Sequence, residues 1–254
     1  MSVTDENPSM GDEIKYCTWK YSHKGGFCWA GAYASGDYLV FASDDGSADG
    51  NYTNTSILYS VSTSTCVMLD KLTGLKGDIC TSVAYNNGYV YFSTKGGCLY
   101  RVKMNQNGTF GQVLGYDFGG MATATPVIYK GRIYIGVCGQ GGQFNPDGGH
   151  HFDVITESED TLSLAYSVPV AGYPQAAPLL STAYENEDYN NDGKADGRVY
   201  VYFTANAYPG WYLYAGGQPR TDRRHGRGDL YIVHRPAAIQ YQYFMCGQGR
   251  NNLL

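Results

Sequence analysis

An all-β fold follows from three features of the sequence. Glycine is abundant at 34 and tyrosine at 25 of 254 residues, and charged residues make up only 16%. Such a chain has many tight turns, many aromatic strand residues and few of the charges that decorate surface helices. The third feature is repetition: a small-apolar strand, a glycine turn, an aromatic-rich alternating strand and a further strand recur in order along the chain.

The first copy reads Trp29–Tyr33, Gly36, Tyr38–Phe41 and Ile57–Val61. The second reads Ser82–Tyr85, Gly88, Tyr89–Phe92 and Cys98–Val102. The third reads Thr125–Tyr129, Gly131, Arg132–Gly136 and Phe152–Ile155. The fourth reads Ala177–Leu180, Gly197, Arg198–Tyr202 and Trp211–Tyr214. Closing strands follow at Cys66–Leu69, Gln112–Gly115 and Leu164–Ser167. Alternation at period two is the mark of a half-buried strand, and glycine supplies positive φ in the hairpins. Four strands in about 40 to 50 residues is the size of a β-propeller blade. The sequence therefore predicts blades of four antiparallel strands, about four to five of them.

The predicted divisions are a polar tail at 1–12, blades at 13–78, 79–120, 121–172 and 173–218, and an atypical tail at 219–254. Before Pro219 the chain has nine Lys and three Arg; from Arg220 onward it has six Arg and no Lys. That shift, with the basic run Arg220–Arg227, reads as sequence translated out of the ancestral frame or otherwise broken. A divergent blade strand at Leu230–Val233 is the alternative. Four blades in the curvature of a larger ring form an open arc, so self-association through unpaired edges is expected.

The net charge of −5 offers no basic patch for nucleic acid. No apolar run approaches the length that spans a bilayer, and Met1–Asp12 is not a signal sequence. None of the seven cysteines sits in a C-x-x-C pair, and the odd count speaks against a fully paired set. Free thiols acting as small strand hydrophobes are expected.

One loop points to a cation. Asp188, Asn190, Asp192 and Asp196 occupy positions 1, 3, 5 and 9 of D-x-N-x-D-G-x-x-D, with Gly193 at the sharp turn. Calcium takes about six to eight oxygens, and this spacing aims alternate side chains at one centre, with the Lys194 carbonyl adding another. Position 12 is Val199, so the bidentate glutamate of an EF-hand is missing. A structural calcium is the expectation; an acidic hairpin turn is the alternative. A second group, Asp147, His150, His151 and Asp153, has the His and carboxylate donors of a transition-metal site, but adjacent histidines on a strand face opposite ways, so it reads as a flexible blade-connecting loop. Asp44-Asp45-Gly46 and Asp49-Gly50 read as turns, and Arg227-Gly228-Asp229 as a chance tripeptide. No G-x-S-x-G elbow or ordered Ser, His and acid set is present.

The strings Asn87-Gly88-Tyr89-Val90-Tyr91-Phe92-Ser93 with Gly97-Cys98-Leu99-Tyr100, and Lys130-Gly131-Arg132-Ile133-Tyr134-Ile135-Gly136, resemble the pyrroloquinoline-quinone (PQQ)-type propeller repeat. That family writes G-x-V-Y-V-G and G-x-L-Y-A-L in each blade, and the resemblance covers roughly residues 13 to 214. Trp29–Gly31 through Asp44–Gly46, and Gly172–Gln175 through Ser181–Tyr184, resemble a subgroup found in large secreted or wall-associated bacterial proteins. The resemblance implies a non-catalytic module at the cell surface or outside the cell, binding protein or glycan. Its other members imply two alternatives: a quinoprotein-like oxidoreductase and a scaffold in envelope assembly. Dehydrogenases of the family stack PQQ on a tryptophan, place a catalytic aspartate on calcium and often carry adjacent cysteines. Here there is no Cys-Cys dipeptide, and Trp19, Trp29 and Trp211 suit packing equally. The expectation is therefore no PQQ and no enzymatic activity.

Overall fold

The computed structural model describes residues 2–4, 16–27, 31–47, 51–140, 148–170, 172–195, 197–207, 210–217 and 230–235, with the backbone alone at 2–4, 16–18, 207, 210–217 and 230–235. Strands β1 (Ser2–Thr4) and β2 (Tyr16–Trp19) pair antiparallel. The first four-stranded sheet runs β3 (Tyr33–Ala34), β4 (Tyr38–Ala42), β5 (Leu58–Ser62) and β6 (Met68–Leu72). The second runs β7 (Ala84–Asn86), β8 (Tyr89–Ser93), β9 (Cys98–Met104) and β10 (Phe110–Asp117). The third comprises β11 (Val127–Tyr129), β12 (Arg132–Val137), β13 (His151–Glu157) and β14 (Leu162–Pro169). The fourth comprises β15 (Leu179–Tyr184), β16 (Arg198–Ala207), β17 (Gly210–Gly217) and β18 (Leu230–Arg235). Within each sheet the strands neighbour one another in chain order, the up-and-down meander of a propeller blade.

The repeat falls where the sequence places it, with shifted ends. Pro126 and Pro178 each lie ahead of their sheet's first strand, which starts at Val127 and Leu179. Proline has no N–H for the ladder, so pairing begins after it. The turns at Asn87-Gly88 and Lys130-Gly131 both have two consecutive positive-φ residues. That is the two-residue turn whose twist matches a hairpin.

The sheets stack in order. Val90 and Phe92 of β8 join Val40 and Leu58 of the first sheet in one core. Tyr91 of β8 and Leu99 of β9 join Ile133, Ile135 and Ile155 of the third sheet in the next. Tyr134, Phe152 and Val154 of the third sheet join Val201, Phe203 and Ala205 of β16. Successive residues of one strand therefore pack on opposite neighbours, as the pleat requires. The strands read from alternation as half-buried are buried on both faces in the middle sheets: β8 and β12 bury four and five consecutive residues. The alternation in Tyr89-Val90-Tyr91-Phe92 assigns residues to two cores and not to core and solvent.

Among the described residues no core joins the first sheet to the fourth, so the blades form an open arc. The outward face of the first sheet is covered by Trp19, Tyr21 and Phe27, whose rings meet Phe41, Tyr59 or one another at 5.6–6.3 Å between centroids. β18 supplies the fourth strand of the last blade, pairing with β17 from Leu230 to Arg235.

Candidate functional site

Each blade has two ends. At one end lie the turns between its first and second strands and between its third and fourth. At the other lie the turns between second and third strands and the connectors to the next blade. The Asp44, Asp45 and Asp78 network lies at this connector end.

The 43–57 loop between β4 and β5 is built around Asp45, which is 6% exposed. Its Oδ1 accepts the Ser47 N–H at 2.8 Å, and its Oδ2 accepts those of Thr53 at 2.8 Å and Asn54 at 3.2 Å. Burial pushes the Asp45 carboxyl up, but these bonds and one shared with Asp78 outweigh it and hold the group below the usual range. The Asp45 N–H donates in turn to Asp44 Oδ1 at 2.9 Å and to Asp78 Oδ1 at 3.0 Å. Asp78 sits on the connector between the first two blades and is 1% exposed. Lys95, from the β8–β9 hairpin, approaches its Oδ2 at 3.5 Å. Burial, then the carboxyls of Asp44 and Asp45, push Asp78 up to about 8. Cys80 Sγ stands 3.9 Å from Asp44 Oδ2, so two carboxyls and a thiol from two loops converge beside one ammonium.

The far side of the loop seals against the connector. Asn54 Oδ1 accepts the Gly77 N–H at 2.9 Å, and the Ser56 hydroxyl donates to the Gly77 carbonyl. Beyond it an open groove of about 520 Å³ crosses the first three blades, walled by Tyr52, Asn54, Lys76, Lys95, Asp117 and Gln140. Its floor is glycine backbone. A β-carbon at Gly120 would stand 2.5 Å from the Gly139 carbonyl carbon, so only glycine lets the blade connector lie on the next blade's loop. Lys76 and Asp117 pair across the groove at 2.6 Å, both exposed.

The predicted cation loop lies at the opposite end, between β15 and β16, in the place of the short hairpin turns at 87–88 and 130–131. Asp188 Oδ2 accepts the Gly193 N–H at 2.8 Å, and Oδ1 that of Asp192 at 3.2 Å. Asn190 Oδ1 also accepts the Asp192 N–H, and Asp192 Oδ1 that of Lys194. Asn191 and Gly193 take positive φ, which curls the loop onto its own carboxylates. Asp188, Asn190, Asp192 and Lys194 thus share one exposed turn; Asp196 lies outside the described residues.

The two histidines of the other sequence group part company. His150 is buried, its Nδ1 on the Cys138 carbonyl and its ring 4.5 Å from that of Tyr173. His151 Nδ1 lies 3.2 Å from buried Asp153. Asp147, Trp29, Arg227-Gly228-Asp229 and the side chain of Trp211 lie outside the described residues. Among the described residues Cys66, Cys80, Cys98 and Cys138 form no disulfide, and the last three are buried.

Sequence reasoning passed over Asp78 and read Asp45 as a turn. The available signal was a lone acid against an apolar stretch, Gly77-Asp78-Ile79-Cys80, which places a carboxyl where it must be partnered.

Fold and connector end together define an all-β arc of four propeller blades with a polar loop face. No family model matches the chain, and no curated protein matches it. Solved structures similar to it include BamB from Moraxella catarrhalis, at 13% identity and TM-score 0.48, over 80% of this chain and 53% of that one. A europium-containing methanol dehydrogenase is similar at 15% identity and TM-score 0.45, over 80% of this chain and 37% of that one. The chain thus spans about half the length of the first and little more than a third of the second.

Proposed function

We propose that the chain is a non-catalytic propeller module of a bacterial cell-surface or secreted protein, binding protein or glycan through its connector end. The observation that carries this reading is the groove, a glycine floor fixed by blade-to-blade contact beneath Tyr52, Asn54, Lys76 and Gln140. An aromatic ring beside amide and ammonium donors is the chemistry that sugars and extended peptides use. The cell-surface placement rests on the sequence resemblance alone.

The wild-type protein is screened on a glycan array and in pull-downs from bacterial envelope extracts, beside Tyr52→Ala and Gln140→Ala. Binding that both substitutions weaken supports the groove. Binding unchanged in both, or none to either class, removes this reading.

The Asp188–Asp196 loop holds a structural calcium in this proposal, through Asp188, Asn190, Asp192, Asp196 and the Lys194 carbonyl. Its role is to stiffen the turn end of the fourth blade. The alternative of a quinoprotein-like oxidoreductase is disfavoured by the lack of adjacent cysteines. Dye reduction after reconstitution with PQQ and calcium would reinstate it. An envelope-assembly scaffold is distinguished by capture of envelope proteins without glycan binding. Self-association belongs to the reading too: Leu179, on the fourth sheet, is 68% exposed, and sedimentation would register it.

A further inference from the structure

We propose that Asp44 and Asp78 form a proton-sharing latch that holds the 43–57 loop against the second blade at neutral pH and releases it in alkaline solution. Both carboxyls converge on a single donor, the Asp45 N–H, at 2.9 and 3.0 Å. Asp78 is 1% exposed, and like charges this close in a buried place do not both ionise.

The charges facing the pair are few. Lys95 from the β8–β9 hairpin stands at 3.5 Å from Asp78, the Cys80 thiol at 3.9 Å from Asp44, and the Asp45 carboxylate is held by its own loop amides and by a bond shared with Asp78. His23 lies at the loop's outer side, on the Thr55 carbonyl; Asp49 lies outside the described residues. With one proton shared, one carboxylate of the pair faces the Lys95 ammonium. Without it two do, with Asp45 as a third negative charge close by. Repulsion then falls on the shared Asp45 N–H, the contact that joins the loop to Asp78. The Lys95 ammonium can screen one of these charges but not all three.

The latch matters because the same loop carries Tyr52 and Asn54 to the groove wall. Asn54 and Ser56 tie the loop to Gly77, one residue from Asp78. Release would move that wall while the glycine floor, set by the blade cores, stays. The link from latch to binding rests on the proposed function; the latch itself does not.

Hydrogen exchange of the Asp45, Ser47, Thr53 and Asn54 amides in the purified protein, corrected for intrinsic rate, tests it between about pH 6 and about pH 9.5. Burial and the neighbouring carboxyls push Asp78 up to about 8. Protection in the wild type should therefore fall several-fold across that point, while amides of β8 and β12 keep theirs. Asp44→Asn and Asp78→Asn replace the shared proton by a fixed amide donor and should abolish the transition. Cys80→Ser should retain it. Should Asp78→Asn fail to fold by circular dichroism, Asp44→Asn alone decides. Constant wild-type protection to the top of the range overturns the latch. So does a transition unchanged in Asp44→Asn, and so does one lost in Cys80→Ser, which would assign it to the thiol. Groove binding is scored separately, so loss of ligand does not count against the latch.

Discussion

Arg101 of the second blade crosses to Glu157 of the third at 3.4 Å, and both side chains are almost wholly removed from solvent. The same guanidinium donates to the Ser158 carbonyl at 2.6 Å and to that of Glu159, and lies 4.6 Å from the Tyr89 ring centroid. Tyr91 donates to Glu157 at 2.8 Å. A planar donor fork thus fixes the turn between β13 and β14 from the neighbouring blade.

Arg101→Ala should destabilise the protein by about 3–5 kcal/mol, because Glu157 and two carbonyls lose their buried partner. Arg101→Lys should recover only part of this, since an ammonium cannot reproduce the fork. Urea denaturation checks both. An Arg101→Ala midpoint equal to wild type would contradict the clamp.

Asp45→Ala removes the acceptor of three loop amides. The expected loss is about 3 kcal/mol, with exchange of the Ser47, Thr53 and Asn54 amides accelerated before global unfolding. Asp45→Asn, keeping one oxygen acceptor, should lose less.

Stability should depend on pH through Asp78 with a definite sign. Its folded pKa of about 8 lies above the ordinary carboxyl value, so between about pH 4 and pH 8 the folded chain holds a proton that the unfolded chain has released. Its contribution is fully present below the unfolded pKa and is lost as pH rises through the folded one. Asp78→Asn should flatten that slope in thermal melts. Asp45 and Asp117, both held low, act oppositely: their contribution is present above the unfolded carboxyl range and is lost as pH falls through their folded values. A melting temperature that rises between pH 5 and about pH 8 in wild type alone would contradict the Asp78 assignment.

Calcium in millimolar excess should raise the melting temperature, by mass action on the folded state. Asp188→Ala and Asp192→Asn should abolish the rise. An equal rise with magnesium, or one that survives both substitutions, would assign the Asp188 loop an acidic turn and no more.

Much of the fold was legible because blade repeats write their period directly. Tyr89–Phe92 and Arg132–Gly136 announce the second strand of a blade, and Asn87-Gly88 and Lys130-Gly131 the turn before it. What alternation could not tell was how deep those strands lie. A strand packed between two blades and one packed against solvent both alternate when tyrosine fills one face, and only stacking reveals Tyr91 as core. The acidic loop was visible because Asp188, Asn190 and Asp192 alternate within one short stretch of sequence. The Asp44, Asp45 and Asp78 network was not, since it joins a loop of one blade to the connector after it, 33 residues on from Asp45. Contact across a blade boundary leaves no spacing to read.

Stacking of the blades in chain order is tested most directly by methyl and aromatic nuclear Overhauser contacts in the intact protein. Val90 and Phe92 should show contacts to Val40 and Leu58, Ile133 and Ile135 to Leu99, and Phe152 to Phe203, whose rings lie 4.0 Å apart. Contacts from Val40 or Leu58 directly to Phe152 or Phe203, with none to Val90, would mean two sheets closed on each other, and the arc of blades would be wrong.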